Sequence, residues 1–462
     1  MNVQRLQPTA GKRRKADPFP FLILLLAVVL SAAGDEGRQL VPGRAEGEVL
    51  TLESAVGMAL SRNERALQAD QRVRAAESLV GQARAYFLPT LSGTGTLTRR
   101  PFEVSRTVGG TTIVVQKLNA VSGVAALNLT IFDARSLPTL LQARSSRTAE
   151  KYAAAEAKRQ LAFEVGNAYL TTLGVDQVLE AARHRFEYAK QALEAARARY
   201  AAGLVSINDV TRAELEYATA EMGITQVQGQ VETTYLQLGY LLDETSLSGR
   251  RLEVPEFLLR DAEAERGDVA DLIVQAQGRR LDLTSLRWRA KAQQALTLQP
   301  LFKWLPSLSF GGQYRYTNEA GLTGKTTNWN AGLTLTWSIF DGLARNSEYA
   351  QTKANAAIAD LEVQSTLRKV ELDVRDAFVS LANQRASLKQ ATIAHEVAKK
   401  NAAETAELYR QGLSTALQVA DANVRLFEAE VALVQERYGL AIAYLNLEAA
   451  LGLDPFGKEP QS

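Results

Sequence analysis

The segment Asn328 to Ile339 reads N-W-N-A-G-L-T-L-T-W-S-I. Trp329, Ala331, Leu333, Leu335, Trp337 and Ile339 fall on one parity, and Asn330, Gly332, Thr334, Thr336 and Ser338 on the other. Side chains alternate across a strand, so this is a two-faced strand with one apolar side. Its length suits a tilted membrane strand. The opposite face is polar but uncharged, which fits a wet lumen, and Trp329 and Trp337 bracket the apolar face as an aromatic girdle does. Alternation alone also fits a soluble sheet packed on one side.

The pattern recurs. Val121, Gly123, Ala125, Leu127, Leu129 and Ile131 alternate with Ser122, Asn128 and Thr130, although Val124 and Ala126 soften the polar face. Leu308, Phe310, Tyr314 and Tyr316 alternate with Ser307, Ser309, Gln313 and Arg315, and a weaker strand covers Leu91 to Thr98. Four strands cannot close a barrel, and open edges are not tolerated in lipid. If these strands span, several chains share one barrel. Two chains give eight strands and a filled interior; three give twelve and room for a passage.

The strands sit in a duplicated chain. "FLPTLSGTG" at Phe87 recurs as "WLPSLSFGG" at Trp304, and "LNLTIFDA" at Leu127 as "LTWSIFDG" at Leu335. "YAAGLVSINDV" at Tyr200 recurs as "YRQGLSTALQV" at Tyr409, and "TYLQLGYLL" at Thr234 as "AYLNLEAAL" at Ala443. The expected division is repeat 1 over 49–243, a linker over 244–267, repeat 2 over 268–453 and a tail over 454–462. The β-hairpins fall at about 90–132 and 307–340, the first of them longer. Its basic residues Arg99, Arg100, Arg106 and Lys117 read as a solvated loop.

Each repeat reads helix, hairpin, long helix, break, helix. Asp133 and Asp341 are expected N-caps of the long helices. No Gly or Pro interrupts Leu343 to Gln411, a stretch that spans about 100 Å as helix. Such a helix needs partners along its length. Thr51–Tyr86 with Ser206–Leu242, and Asp268–Gln299 with Thr415–Leu451, are the half-length helices expected to lie end to end along it. The breaks, at about 201–207 and 410–416, have a glycine suited to a left-handed helix end, Gly203 or Gly412. Each is followed by a capping-box pattern: Ser206 with Asp209, Thr415 with Gln418. Capping alone accounts for Asp209 and Gln418. Asp421 lies beyond the cap, where an ordinary solvated helix face is the plain reading.

Composition narrows the function. The 462 residues carry 53 basic and 51 acidic side chains, a net charge of +2 that gives no support to a nucleic-acid partner. There is no cysteine and there are two histidines, His184 and His395, both read as exposed helix residues. That excludes disulfides and thiolate chemistry and argues against a His-based metal centre. The sequence holds no P-loop, G-x-G-x-x-G, H-E-x-x-H or Ser-His-Asp order, so neither an enzyme nor a cofactor is expected. Residues 1–33 have a basic stretch, an apolar run and the small residues Ser31, Ala32 and Ala33, the pattern of a secretory signal peptide.

The duplication, the paired L-P-x-L-S and I-F-D boundaries, the two G-L breaks and the terminal A-Y-L-N-L-E-A-A-L-G together resemble the TolC-like outer-membrane efflux family, from about Val49 to Leu453. The resemblance implies a mixed α and β membrane protein. It would be a homotrimer with a twelve-stranded outer-membrane barrel, four strands per chain, continuous with a long periplasmic α-helical barrel of coiled coils. It implies a passive duct of a tripartite efflux or type I secretion system, joined by a periplasmic adaptor (a membrane fusion protein) to an inner-membrane RND or ABC pump. An equatorial region is expected in the linker and tail, without clear strands. In the family two aspartates one helical turn apart line the closed end; here those positions are Gln418 and Asp421, so one acid is missing. A family lock maps to Tyr409 and Asp209, while Ser414 replaces its basic member. The adaptor-docking tips map to Gly203, Leu204, Ser206, Gly412, Leu413 and Thr415. The alternative is a periplasmic or surface coiled-coil structural or adaptor protein, which leaves four strands without a purpose.

Overall fold

A computed structural model describes residues 49–459, apart from 245, 246, 248, 249, 266 and 320–324. The expected signal peptide lies outside the described residues. Repeat 1 runs β1 (Val49–Leu50), α1 (Leu52–Arg62), α2 (Glu64–Ala85), β2 (Thr90–Arg99), β3 (Val104–Val108), β4 (Thr111–Gln116), β5 (Asn119–Phe132), α3 (Ser136–Ala201) and α4 (Ile207–Leu242). Then come β6 (Arg251–Leu252) and α5 (Glu256–Glu263). Repeat 2 runs α6 (Val269–Arg279), α7 (Leu281–Leu296), α8 (Leu298–Phe302), β7 (Ser307–Thr317), β8 (Thr327–Thr336), α9 (Ala344–Arg410) and α10 (Ala416–Leu451).

The long helices α3 and α9 have 66 and 67 residues. Helices α2 and α4 lie along α3, and α10 lies along α9; α7, expected along α9, packs more extensively on α3 than on α9, and α10 also reaches α3. Gly166 in α3 permits that last approach: a Cβ there would stand 3.1 Å from Leu445 of α10. Alanine is the commonest buried residue of these helices, so their axes pack closely on more than one side.

The half-length helices are broken, which periodicity did not show. Thr51–Tyr86 breaks at Asn63 and Asp268–Gln299 at Arg280, positions 217 apart and equivalent in the two repeats. Asn63 Oδ1 accepts from the Arg65 amide at 2.9 Å, and its Nδ2 donates to the Leu241 carbonyl at 3.0 Å. The Arg280 guanidinium donates to Asp282 and to Asp373 of α9, both at 2.7 Å. A tertiary partner thus holds each break open. The long helices also start later than expected, at Ser136 and Ala344. Asp133 and Asp341 are not the N-caps: they accept from the amides of Arg135 at 3.0 Å and Arg345 at 3.1 Å, holding the first turn from outside it.

The largest core lies where α1, the middles of α3 and α9, and the ends of α4 and α10 meet α5 and α6. The linker is not free of strands: β6 pairs in parallel with β1, Val49 opposite Arg251 and Leu50 opposite Leu252. Two-residue strands have no period to read. Fully buried Tyr169 donates its hydroxyl to the Leu50 carbonyl at 2.6 Å or the Glu253 carbonyl at 2.7 Å, fastening this small sheet to α3.

The main sheet has the order β2-β5-β7-β8, every pair antiparallel, so the β5–β7 seam joins the two repeats. Register places Leu91, Leu97, Val121, Leu127, Leu129, Leu308, Phe310, Tyr314, Trp329, Leu333 and Leu335 on one face. The other face carries Thr and Ser along β2, Ser122 and Asn128 on β5, Ser309, Gln313 and Arg315 on β7, and Asn328, Asn330, Thr334 and Thr336 on β8. Ile131, expected on the apolar face, is displaced by a bulge that sets Phe132 opposite Leu308. Strand β8 ends at Thr336, so Trp337 lies just past it and donates its indole N–H to the Trp304 carbonyl at 3.1 Å. Strands β3 and β4 form a small extra hairpin beyond the sheet. Arg100 there is not free: it ion-pairs Glu319 of the other hairpin, whose carboxylate also accepts from the Lys117 amide at 2.8 Å.

Candidate functional site

Two regions carry the residues singled out above: the helical hairpin tips and the two-faced sheet.

At the first tip, Gly203 turns with φ +69° and the Leu204 amide donates to the Arg199 carbonyl at 2.9 Å. At the second, Gly412 has φ +79° and the Leu413 amide donates to the Leu408 carbonyl at 2.8 Å. This bond from beyond the glycine back into the last turn closes a Schellman-type end. A capping box follows each. The Ser206 amide donates to Asp209 at 3.2 Å, and the Thr415 amide donates to Gln418 Oε1 at 2.8 Å. Ser414 adds a hydroxyl donor to Gln418 at 2.9 Å. Asp209 and Gln418 are therefore both engaged in starting α4 and α10. Leu204 and Leu413 stand 74% and 72% exposed at the two tips.

Asp421 lies one helical turn past Gln418 and takes no part in the cap. Its side chain is 69% exposed, and Arg425 stands 3.9 Å away while also pairing Glu428 at 3.1 Å. A pair so open contributes little to stability and leaves the carboxylate available to solvent.

Tyr409, Asp209, Arg212, Leu417, Ala420 and Asn423 help line a groove of about 260 Å³ between the two helical hairpins. Tyr409 and Asp209 share this groove without a hydrogen bond between them. The Arg199 guanidinium stands 4.2 Å from the centre of the Tyr409 ring, a cation–π contact from α3 to α9. Arg185 of α3 binds Glu216 of α4 at 2.8 Å and lies 5.0 Å from the Phe427 ring of α10. Neither arginine was singled out from sequence, because each belongs to an arginine-rich helix whose pattern does not reveal its partner. His395 is not exposed as expected: it is half-buried, 3.9 Å from Glu430. His184 is exposed.

Among the described residues no group of acids and histidines could hold a metal ion, and no helix is long and apolar enough to cross a membrane. The apolar surface of membrane type is the sheet face, where Trp329 and Leu333 are 71% and 66% exposed.

The chain matches the family model described as outer membrane efflux protein, over residues 55–243 and 272–453. The chain belongs to this family. The outer membrane efflux protein match covers both repeats and leaves out the linker. The TolC protein of Salmonella enteritidis is 26% identical over 310 residues, which cover 64% of this chain and 61% of that protein. Nodulation protein T of Rhizobium leguminosarum bv. trifolii is 23% identical over 427 residues, 88% of this chain and 87% of that protein. Among solved structures, the CmeC outer membrane channel of Campylobacter jejuni superposes with a TM-score of 0.74 at 17% identity, covering 92% of each chain. As an outer membrane efflux protein the chain is an outer-membrane protein with a mixed α and β channel fold.

Proposed function

We propose that three copies of this chain build a passive duct across the outer membrane and into the periplasm. It would conduct cargo delivered by a periplasmic adaptor and an inner-membrane RND or ABC pump, in efflux or type I secretion. The observation that carries this reading is the sheet. It has an apolar face, an uncharged-polar face with one exception, and two strands, β2 and β8, with an unpaired edge. In lipid those edges need partners, and joining β8 of one copy to β2 of the next satisfies both. Three copies give twelve strands and an open interior. The helices support the same count. Leu215, Met222, Leu236 and Tyr240 on α4, and Leu372, Val379 and Ile393 on α9, form exposed apolar stripes at near-heptad spacing. A neighbouring copy would cover them.

In this duct Trp329 and Trp337 mark the apolar belt, and outer-membrane lipid meets the apolar face. Asp421 supplies one ring of three carboxylates at the inner end, with Gln418 a polar ring beside it. Tyr409 and Asp209 hold the hairpins together through their shared groove, with Arg199 replacing the missing basic lock residue on the Tyr409 ring. Gly203, Leu204, Ser206, Gly412, Leu413 and Thr415 form the docking rim for the adaptor, with Leu204 and Leu413 as its apolar contacts. The test is mass and conductance together. Native mass spectrometry from detergent should give three chains, and planar bilayers should give discrete channels. A carbonate-extractable monomer without conductance would leave the coiled-coil structural protein as the better account.

A further inference from the structure

The polar face of the sheet carries one charge among its described residues. Ladder partners put Arg315 of β7 opposite Val124 of β5 and Asn328 of β8, in line with Gln313 and Thr317 on its own strand. Next along the neighbouring strands on that face come Ser122, Ala126 and Asn330. No carboxylate is among them. Arg315 is exposed, and among the described residues no ion pair or hydrogen bond engages its side chain. The nearby acid in sequence, Glu319, is committed to Arg100 and the Lys117 amide.

The surroundings have the same sign. The hairpin ends are remote from the helices, and among the described residues those at 99–119, 315–319 and 325–327 make up that end of the sheet. They contain six basic residues (Arg99, Arg100, Arg106, Lys117, Arg315, Lys325) and two acids (Glu103, Glu319), a net +4 per chain. The whole 462-residue chain nets only +2, so this mouth is a local excess. Among these residues Arg315 alone takes the inner parity of a ladder strand. Arg99 has the parity of Leu91 and Leu97 and belongs to the outer face.

We infer that Arg315 forms an anion-binding ring inside the outer mouth of the duct, favouring passage or capture of multivalent anionic solutes there. The inference rests on the trimeric duct reading, in which the apolar face meets lipid and the polar face meets water. A ring of like charges on a pore wall attracts counter-ions and sets selectivity without any built pocket. The ring lacks internal counter-charges, so its field acts on solutes in the lumen. Its reach is about the Debye length, roughly 8 Å at physiological salt.

The test uses the full-length protein in planar bilayers with inorganic tripolyphosphate as probe. Added on the hairpin side, the probe should block the current, and less effectively from the helical side. Arg315→Gln should weaken the block about tenfold at low salt, and about 1 M salt should abolish it in the wild type. Arg315→Lys should keep the block, since charge and not shape is at work. Arg315→Glu should remove it. Arg99→Gln should leave it within about twofold, because that side chain faces outward. Channels whose block is the same in wild type, Arg315→Gln and Arg315→Glu would overturn the inference and leave the duct standing. No channels from the wild type would overturn the duct itself, and the inference with it.

Discussion

Arg159 should be among the most costly residues to lose. It and Glu156 are buried in α3, their side chains 6% and 8% exposed, paired through two hydrogen bonds of 2.8 Å. The same guanidinium donates to the carbonyls of Ala449 and Leu453 at 3.0 Å each, capping the C-terminal end of α10 from the other repeat. Arg159→Met removes all four bonds. Among the described residues Glu156 then keeps only a donor from Gln160 at 2.9 Å, and Ala449 keeps its bond from the Gly452 amide at 3.2 Å. Stranding a buried carboxylate typically costs about 3–5 kcal/mol. For a chain of this length that is a fall of roughly 5 °C in apparent Tm. The double variant Glu156→Gln with Arg159→Met strands no charge and should recover more than half of the loss. The assay is thermal unfolding in detergent by circular dichroism, at one scan rate because unfolding of such assemblies is seldom reversible. The pair is shielded from solvent, so about 1 M NaCl should not change the result. A single variant within about 1 kcal/mol of wild type, or a double variant no better than the single, would refute the reasoning.

Other expectations concern the gate and the joints. Asp421→Ala should raise single-channel conductance or change its cation dependence; unchanged conductance and selectivity would remove Asp421 from the gate. Tyr409→Phe with Asp209→Ala should loosen the closed end and admit larger solutes, and Arg199→Ala should do the same by freeing the Tyr409 ring; background leakage in both variants would mean that no lock exists here. Burial works to raise the Asp282 pKa, but hydrogen bonding and charge from Arg280 outweigh it and hold the carboxyl below its ordinary 3.8. The folded value being the lower one, its stabilisation is present above about pH 4 and is lost as pH falls through the folded value. Asp282→Asn should therefore lower Tm at neutral pH and flatten its fall in acid; an unchanged acid profile would count against the pair.

What could be read from the sequence was local. Strand alternation, the glycine at each tip and both capping boxes depend on residues within a turn or a strand of one another, and each is in the structure as a geometry. What escaped was set by distant partners. Asn63 and Arg280 break helices because Leu241 and Asp373 wait for them across the bundle. The Arg251–Leu252 strand exists because residues some 200 positions earlier lie beside it. The bulge at Ile131 needs the neighbouring strand of the other repeat. At the tips, Tyr409 and Asp209 were paired by resemblance, whereas Arg199, which sits on the Tyr409 ring, belongs to an arginine-rich helix end with nothing to distinguish it.

The equivalent breaks at Asn63 and Arg280 give each repeat two unlike supports. Helices α3 and α9 run unbroken for 66 and 67 residues, so a twist applied at one end is carried along a continuous hydrogen-bond ladder to the other. The columns α1–α2 and α6–α7 have no such continuity at their joints, where the backbone leaves helical geometry at ψ 133° and ψ 120°. Each half is thus a stiff torsion rod beside a jointed strut. The sheet follows the strut and leads into the rod, so a twist of the rod reaches it directly, whereas bending of the strut can be taken up at its joint.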